Sequence, residues 1–237
     1  MYENDSAAEM YDLLYQDRKD YPAEARQVAD LVRARKPDAS SLLDVACGTG
    51  IHLAAFAELF ERVEGADLSA PMLEVAARRL GPRVPLHRVD MRDFRLDASF
   101  DAAAVMFSSI AYLRTSEDLE AAVATLAGHL NPGGVLVVEP WWFPEAFIEG
   151  HVSGHALTTD NNRTITRVSH STRAGRVTRM ELHYVIADSR GVHHRSETDD
   201  LTLFTRDEYE TAFRKAGLKV EYVDSEPGRP GYFVATA

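Results

Sequence analysis

The chain has 237 residues, 45% of them hydrophobic and 27% charged, so it has the composition of a globular protein with room for one large domain, with or without a small insertion. Lys and Arg number 26 against 37 Asp and Glu, and the resulting formal charge of −11 disfavours binding to nucleic acid or to anionic membranes. Cys47 is the single cysteine, which excludes an internal disulfide, and the lack of a leader or a spanning apolar stretch predicts a cytoplasmic protein.

The first 140 residues are predicted to alternate between helices and strands. Pro22 suits a first helical turn, and apolar residues at helical spacing predict a helix to about Arg35. The apolar run Ser41–Ala46 ends in Gly48-Thr49-Gly50, and a helix is predicted over Ile51–Phe60. Further strands are predicted over residues 62–67, 84–89, 100–107 and 135–139, and two further helices begin at the N-caps Ser69 and Thr115, the second reaching Leu130.

Beyond residue 140 the pattern changes. From 141 to 202 there is no long helical period, and two strands are predicted over 163–171 and 176–187. A helix capped by Thr205 and Glu208 and two strands over 218–223 and 231–235 then return to the sheet. We therefore predict an α/β fold with a doubly wound, mostly parallel, seven-stranded Rossmann-like sheet and a β-rich cap inserted after the fifth strand. Residues 1–140 and 203–237 form the predicted α/β domain, and residues 141–202 form the predicted substrate-binding cap.

The glycine turn from Asp44 to Gly50 is the most informative stretch. Gly48 and Gly50 let the backbone approach a ligand and leave a helix N-terminus pointing into the crevice, although a plain tight turn has the same composition. Leu53 stands where a dinucleotide motif has its third glycine, and the Gly-Lys-Ser/Thr of a phosphate-binding P-loop is absent. Both a nicotinamide site and NTP hydrolysis are therefore disfavoured.

Two acidic residues follow neighbouring predicted strands. Asp67 can accept two hydrogen bonds from the diol of a ribose, and the alternative is that it caps a helix beside Ser69. Asp90 can accept a hydrogen bond from the amino group of an adenine, and the soft apolar side chain of Met91 can pack on the face of its ring. Because the carboxyl ends of parallel strands share one edge of a sheet, we expect these side chains to meet the glycine turn.

Three segments, Leu43–Gly50, Glu64–Ser69 and Asp90–Phe94, resemble in order the motifs of class I S-adenosylmethionine-dependent methyltransferases. Three more, Met106–Ile110, Val138–Pro144 and Thr166–Ser171, are similar to those of the TDP-aminosugar N,N-dimethyltransferases of desosamine- and mycaminose-type deoxysugar and antibiotic biosynthesis. The resemblance covers nearly the whole chain. It implies S-adenosylmethionine as cofactor and N-methylation, expected to reach N,N-dimethylation, of a TDP-linked aminosugar held under the cap.

The resemblance also implies roles for individual residues. Tyr11 is expected to close over the methionine part of the donor, and Met106 to line the same pocket. Arg229 is expected to contact phosphate or sugar, although Pro230 after it departs from the glycine of relatives. The expected donor site comprises Tyr11, Asp44, Ala46, Gly48, Gly50, Asp67, Asp90, Met91 and Met106. The resemblance also implies a homodimer.

The predicted cap strands carry a local excess of arginine. Between residues 163 and 179 there are five arginines and no Asp or Glu, which favours recognition of a diphosphate over a merely solvated strand face. Arg179 is the leading candidate, on a face shared with His183 and opposite Met180. Arg167 and Ser169 belong to the same expected site. Trp142 either packs against the base or deoxyribose of the acceptor or packs in the core.

The expected reaction needs a neutral amine aligned with the donor methyl group and no nucleophilic side chain. Tyr2, Tyr21 and Tyr112 are candidates to orient or deprotonate the amine, with Tyr2 on an N-terminal arm that can act as a lid. No metal site is predicted, because Gly150 and Gly154 interrupt any helix that would align the histidines at 151 and 155.

Three alternatives remain open from the sequence. In the first, the acceptor is another small amine or hydroxyl without a nucleotide. In the second, the protein binds the donor without catalysis. In the third, the protein is a reductase, an alternative that the missing third glycine disfavours. The sequence leaves undetermined whether the sugar is a 3-amino or a 4-amino sugar and whether it receives one or two methyl groups.

Overall fold

The computed structural model describes residues 19–159, 162–225 and 230–237, which form two sheets and the helices that pack on the larger one. The helices are α1 (Tyr21–Arg33), α2 (Ile51–Ala57), α3 (Ala70–Leu80), α4 (Ser116–Ala127) and α5 (Arg206–Lys215), with a 3₁₀ turn at Ser109–Tyr112. None of these helices has the length and apolar character needed to cross a membrane.

The larger sheet contains β1 (Ser41–Val45), β2 (Arg62–Asp67), β3 (Leu86–Arg88), β4 (Phe100–Val105), β5 (Leu130–Val138), β10 (Lys219–Val223) and β11 (Tyr232–Thr236). Its strand order is β10-β11-β5-β4-β1-β2-β3, and β1 to β5 run parallel while β11 runs antiparallel to both of its neighbours. The order reverses between β1 and β4, so the loops after these two strands open the crevice where ligands bind in such sheets. The predicted fold class is confirmed.

The central strands β1 and β4 are buried on both faces because helices cover both sides of the sheet. Leu42 and Leu43 are adjacent in the chain, yet they belong to different clusters of buried side chains. Leu42 packs with Val28 of α1 and Phe56 of α2, whereas Leu43 packs with the α4 and α5 side. Since successive strand residues point to opposite faces, this apolar run fills both halves of the core.

Local capping signals place the helix starts. The Ser69 and Thr115 side chains accept hydrogen bonds from backbone N–H groups three residues later, and Thr205 with Glu208 forms a full capping box. Two predicted helices extended too far. The helix predicted over residues 51–60 ends at Ala57, and the one predicted to reach Leu130 ends at Ala127, because Leu130 pairs with Phe100 and begins β5.

The smaller sheet is an antiparallel cap of four strands in the order β6-β7-β8-β9. Its strands are β6 (His151–Thr158), β7 (Thr164–Ala174), β8 (Val177–Asp188) and β9 (Gly191–Thr202). The sequence predicted only β7 and β8. In the two missed strands Val152 and Val192 are among the most exposed large hydrophobic side chains, at 69% and 71%, so they break the apolar-inside alternation by which a strand is predicted.

Asp101, at the amino edge of the sheet, joins three segments of the chain. Its carboxylate accepts hydrogen bonds from the backbone N–H groups of Ser40 and Ser41, the Ser41 hydroxyl and the Asn131 amide, at 2.9–3.2 Å. Burial alone would raise the pKa of Asp101, but these hydrogen bonds and Lys36 hold it well below its usual value. The stability that the ionised group confers is therefore present above about pH 4 and is lost as the pH falls further.

We expect Asp101→Ala to lower the free energy of unfolding at pH 7 by about 2–3 kcal/mol, because several partly buried donors lose their acceptor. Urea unfolding should also show that the difference from the wild type shrinks below about pH 4. Asp38→Ala is the control, since the Asp38 carboxylate is exposed and its ion pair with Lys36 is expected to contribute little. Equal effects of the two substitutions would contradict this account of Asp101.

Candidate active site

The loop after β1 holds several residues in the left-handed backbone region. Ala46, Gly48 and Gly50 have φ angles of 58°, 55° and 74°. A Cβ on Gly48 would meet nothing within 4 Å, because that position faces open space beside the cavity. A Cβ on Gly50 would lie 2.9 Å from Leu80 and 3.0 Å from Ala76, so this glycine packs α2 closely against α3.

Asp67, at the end of β2, ties the glycine loop to the start of α3. One carboxylate oxygen accepts from the N–H of Gly48 and the other from the N–H of Ser69, each at 2.8 Å. Burial raises the pKa of Asp67, and these backbone hydrogen bonds oppose the rise. Each oxygen keeps a second lone pair, so the carboxylate can still accept hydrogen bonds from a ligand diol.

Asp44, on β1 beneath the same loop, is 1% exposed. Its Oδ2 has no hydrogen-bond partner among the described residues. Burial first, and then the neighbouring charge of Asp67, raise the pKa of Asp44 well above its usual value. A buried carboxylate in this state gains most from a cationic or hydrogen-bond-donating ligand.

The ends of β3 and β4 complete this side of the cavity. Met91 and Met106 line it with soft apolar surface. Asp90 also lines it, and hydrogen bonds from Arg92 lower the pKa of Asp90. Arg92 contacts Asp118 as well, so it anchors this carboxylate to the start of α4.

The segment between β4 and the 3₁₀ turn is backbone-strained. Phe107 and Ser108 have φ angles of 53° and 57°, in a region that side chains rarely adopt. Glu139 accepts a hydrogen bond from the N–H of Phe107 at 2.6 Å, and the Ser108 hydroxyl donates to the carbonyl of Pro140 at 2.8 Å. These bonds to the end of β5 fix the turn that brings Tyr112 to the cavity. The sequence analysis included Ser108 and Glu139 in two of the motif segments but gave neither residue a role.

A buried polar cluster joins α1 to α2 beside the glycine loop. Glu24 contacts His52 at 2.9 Å and Lys19 at 3.0 Å. The hydrogen bond from His52 and the charge of Lys19 outweigh burial and lower the pKa of Glu24. Tyr21, predicted at the acceptor site, lines the cavity and packs edge-on against His52, with ring centroids 4.7 Å apart.

The inner face of the cap closes the other side of the cavity. In register across the four strands, His151 pairs with Ser171, Ser171 with Met180 and Met180 with Asp199. All four line the cavity, together with Ser153, Arg167, Ser169 and Leu201. Six of these eight side chains are polar, so the cap contributes the hydrogen-bonding groups that a sugar nucleotide needs.

The structure gathers most of the expected site residues but not all. Asp44, Ala46, Gly48, Asp67, Asp90, Met91, Met106, Tyr21, Tyr112, Trp142, Arg167 and Ser169 line the cavity. Gly50 packs beneath the loop instead. Tyr2, Tyr11 and Arg229 lie outside the described residues.

Arg179 and His183 are not brought to the cavity, although Arg179 was the leading phosphate candidate. Both are on the outer face of β8, where Arg179 pairs with Asp200 at 2.9 Å and His183 stacks on His194. The predicted alternation along this strand is confirmed, but its apolar side faces inward. The register of β7 and β8 places Arg167, opposite Tyr184, on that inward side.

The residues at the carboxyl edge of the large sheet fit S-adenosylmethionine. The open position at Gly48 leaves space for a ligand against the backbone, and Asp44 offers a buried oxygen that has no partner in the described part of the chain. Asp67 offers carboxylate lone pairs for ribose hydroxyls, and the two carboxylates together favour a donor that carries positive charge.

Comparison with known proteins supports this reading over nearly the whole chain. A family model described as a methyltransferase domain matches residues 42–134. A dTDP-3-amino-3,4,6-trideoxy-alpha-D-glucopyranose N,N-dimethyltransferase from Streptomyces venezuelae is 56% identical over 236 residues, which cover 99% of this chain and 98% of the relative.

Two solved structures agree with the sequence match. The crystal structure of DesVI from Streptomyces venezuelae has a TM-score of 0.92 at 55% identity, covering 96% of this chain and 97% of that chain. The SAM-bound structure of CalS10, an amino pentose methyltransferase from Micromonospora echinaspora involved in calicheamicin biosynthesis, has a TM-score of 0.89 at 48% identity and covers 96% of each chain. With the glycine loop and the strand-end acids in place, the chain belongs to the S-adenosylmethionine-dependent methyltransferases, in the family of the dTDP-aminosugar N,N-dimethyltransferases.

Proposed function

We propose that this protein dimethylates the amino group of a dTDP-linked aminodeoxysugar, with S-adenosylmethionine as the methyl donor. One observation carries the proposal: a continuous cavity of about 1280 Å³ extends from the glycine loop to the polar inner face of the cap. Pockets for a single small ligand usually measure about 300–1000 Å³, so this cavity has room for a donor and an acceptor together. The family of the chain supports the choice of acceptor.

The donor half of the cavity belongs to the large sheet. In this proposal Asp67 accepts hydrogen bonds from the ribose, Asp90 and Met91 contact the adenine, and Asp44 faces the methionine part; the support is that all four line the cavity. When bound, the donor supplies a methyl group on a positively charged sulfur. The chain's task is to hold this group dry and in line with the acceptor nitrogen, since alignment alone can lower the barrier by about 7–11 kcal/mol.

The acceptor half belongs to the cap and to the loops facing it. In this proposal the Arg167 guanidinium binds diphosphate oxygens; the support is that Arg167 is 5% exposed and lines the cavity, where charge-assisted hydrogen bonds are strong. Tyr21 and Trp142 supply flat surfaces for the base or the sugar. Cys47 is no nucleophile here, because burial and nearby carboxylates raise the pKa of its thiol well above the usual value.

The direct test is turnover. Purified protein incubated with S-adenosylmethionine and dTDP-3-amino-3,4,6-trideoxyglucose should give products heavier by one and then by two methyl groups in mass spectrometry. The same nucleotide sugar with a hydroxyl in place of the amine is the control and should remain unchanged. Methylation of small amines but of no nucleotide-linked aminosugar would instead favour an acceptor without a nucleotide.

Three further properties remain proposals from the sequence: a homodimer, a cytoplasmic location, and the division into an α/β domain (1–140 and 203–237) and a cap (141–202). Light scattering during size-exclusion chromatography tests the first. A monomer at micromolar concentration would contradict it.

A further inference from the structure

Asp199, on β9, is the one carboxylate that the described part of the cap contributes to the cavity. The other carboxylates that line the cavity belong to the large sheet or to its helices and loops, and several are already engaged: Glu24 with His52, Asp67 with the glycine loop, and Asp90 with Arg92. Asp199 is 8% exposed. A carboxylate on the acceptor side of the cavity is the natural partner of a cationic group on the acceptor.

The strand geometry separates Asp199 from its neighbour. Asp199 pairs in register with Met180, on the face toward the cavity. Asp200 pairs with Arg179 on the other face and forms an ion pair with that side chain. Two adjacent aspartates therefore have different surroundings, which supplies a matched control.

Tyr112 connects Asp199 to the donor side. Tyr112 lines the cavity beside Asp199, and a hydrogen bond from its side chain lowers the pKa of the Asp199 carboxylate. Tyr112 follows β4, which lies next to β1 and its glycine loop. The Thr202 hydroxyl donates to the carbonyl of Leu113 at 2.6 Å, so β9 is fixed to the same turn. The carboxylate thus lies where the cap meets the edge of the sheet that holds the donor.

The electrostatic surroundings suit a proton acceptor. Burial first, and then the charge of Glu197 on the same strand, raise the pKa of Asp199 to about 6, while the Tyr112 hydrogen bond and the Arg167 charge oppose the rise. Relative to an ordinary aspartate near 3.8, this makes proton transfer from an ammonium about 100-fold more favourable. A carboxylate buried at such a cost is more characteristic of functional sites than of structural ones.

We propose that the Asp199 carboxylate binds the ammonium group of the acceptor aminosugar and takes its proton, with Tyr112 holding the carboxylate in place. This inference rests on the proposed function. The proton moves from nitrogen to Asp199, and the amine then has a lone pair. The nitrogen forms a bond to the methyl carbon as the carbon–sulfur bond breaks, and the sulfur keeps that electron pair. Asp199 releases its proton to solvent, accepts the proton of the new methylammonium, and so prepares the second transfer.

The test is the pH dependence of kcat/KM for the dTDP-aminosugar in the wild type, Asp199→Asn and Asp200→Asn. The wild type and Asp200→Asn should give a bell that rises through about pH 6 and falls above the pKa of the acceptor ammonium. Asp199→Asn should lose about 100-fold or more at pH 7, and its kcat/KM should rise continuously to the ammonium pKa, because only acceptor already deprotonated in solution can react. An unchanged profile in Asp199→Asn would overturn the proposal.

Two further measurements separate this role from a structural one. The ionised Asp199 destabilises the folded protein above about pH 6, so Asp199→Asn should melt at the same or a higher temperature at about pH 8 and still bind S-adenosylhomocysteine. Loss of folding would instead indicate a structural role. Tyr112→Phe removes the hydrogen bond that lowers the pKa of Asp199. The rise of kcat/KM with pH, found near pH 6 in the wild type, should therefore occur at a higher pH in this variant. A rise at the same pH as in the wild type would contradict the proposal.

The outcome also distinguishes this inference from the proposed function. If the wild type fails to methylate any dTDP-aminosugar at any pH, the proposed function is wrong. If the wild type is active and Asp199→Asn has the same kcat/KM at every pH, only the role of Asp199 is wrong.

Discussion

Replacing Asp67 with alanine is expected to weaken the binding of S-adenosylhomocysteine at least about 100-fold. The Asp67 carboxylate fixes Gly48 and Ser69, both at 2.8 Å, and has lone pairs left for the ribose. Hydrogen bonds to a charged acceptor contribute about 1.5–3 kcal/mol each, and each 1.4 kcal/mol is tenfold in affinity. Two such bonds to the ribose, together with a loosened loop, account for the expected loss. Isothermal titration calorimetry of the folded protein measures it.

Asp101→Ala supplies the matched control for this loss. Asp101 also accepts backbone hydrogen bonds, but it lies at the amino edge of the sheet, away from the cavity. The Asp101 variant should be less stable and bind S-adenosylhomocysteine normally, whereas the Asp67 variant should bind weakly. If both variants bound the ligand equally well, the assignment of Asp67 to the donor would be wrong.

Arg167→Gln is expected to weaken the binding of dTDP about 10- to 100-fold, whereas Arg179→Gln should change it less than about twofold. The two arginines lie on neighbouring strands of the cap, yet Arg167 is 5% exposed inside the cavity and the side chain of Arg179 is 55% exposed outside it. A desolvated guanidinium binds phosphate with charge-assisted hydrogen bonds, while an exposed ion pair contributes little.

Titration with dTDP isolates this effect from the chemistry at the amine, because dTDP carries no amino group. The measurement therefore does not depend on Asp199, whose pKa Arg167 also influences. A larger loss from Arg179→Gln than from Arg167→Gln would place the diphosphate on the outer face of the cap. No binding of dTDP to the wild type would favour an acceptor without a nucleotide.

The cap shows why part of the architecture could not be read from the sequence. Strand prediction depends on apolar residues facing a core, but the cap lines a cavity mainly with polar side chains. Ser169 and Ser171 point inward, while Val168 on the same strand is 47% exposed. The strands β6 and β9 consequently carry little apolar-inside signal, since Leu157 and Leu201 are their inward apolar residues, and Asp199 went unnoticed with β9.

The ranking of Arg179 above Arg167 as a phosphate ligand has a similar origin. Alternation correctly separated Arg179 from Met180 on β8, but it does not say which face meets the ligand. That depends on how β7 pairs with β8 and on which side of the cap packs over the large sheet, and neither is encoded in a single strand.

By itself, the sequence determined the features that depend on a few consecutive residues. The glycine loop, the acids at strand ends and the caps at Ser69, Thr115 and Thr205 are local, because backbone angles and hydrogen bonds over three or four residues set them. Only the tertiary structure decided that Tyr112 and Asp199, on distant segments, share one cavity, and that Arg167 enters it while Arg179 does not. Such pairings follow from sheet register and from the packing of the cap, which depend on contacts across the whole chain.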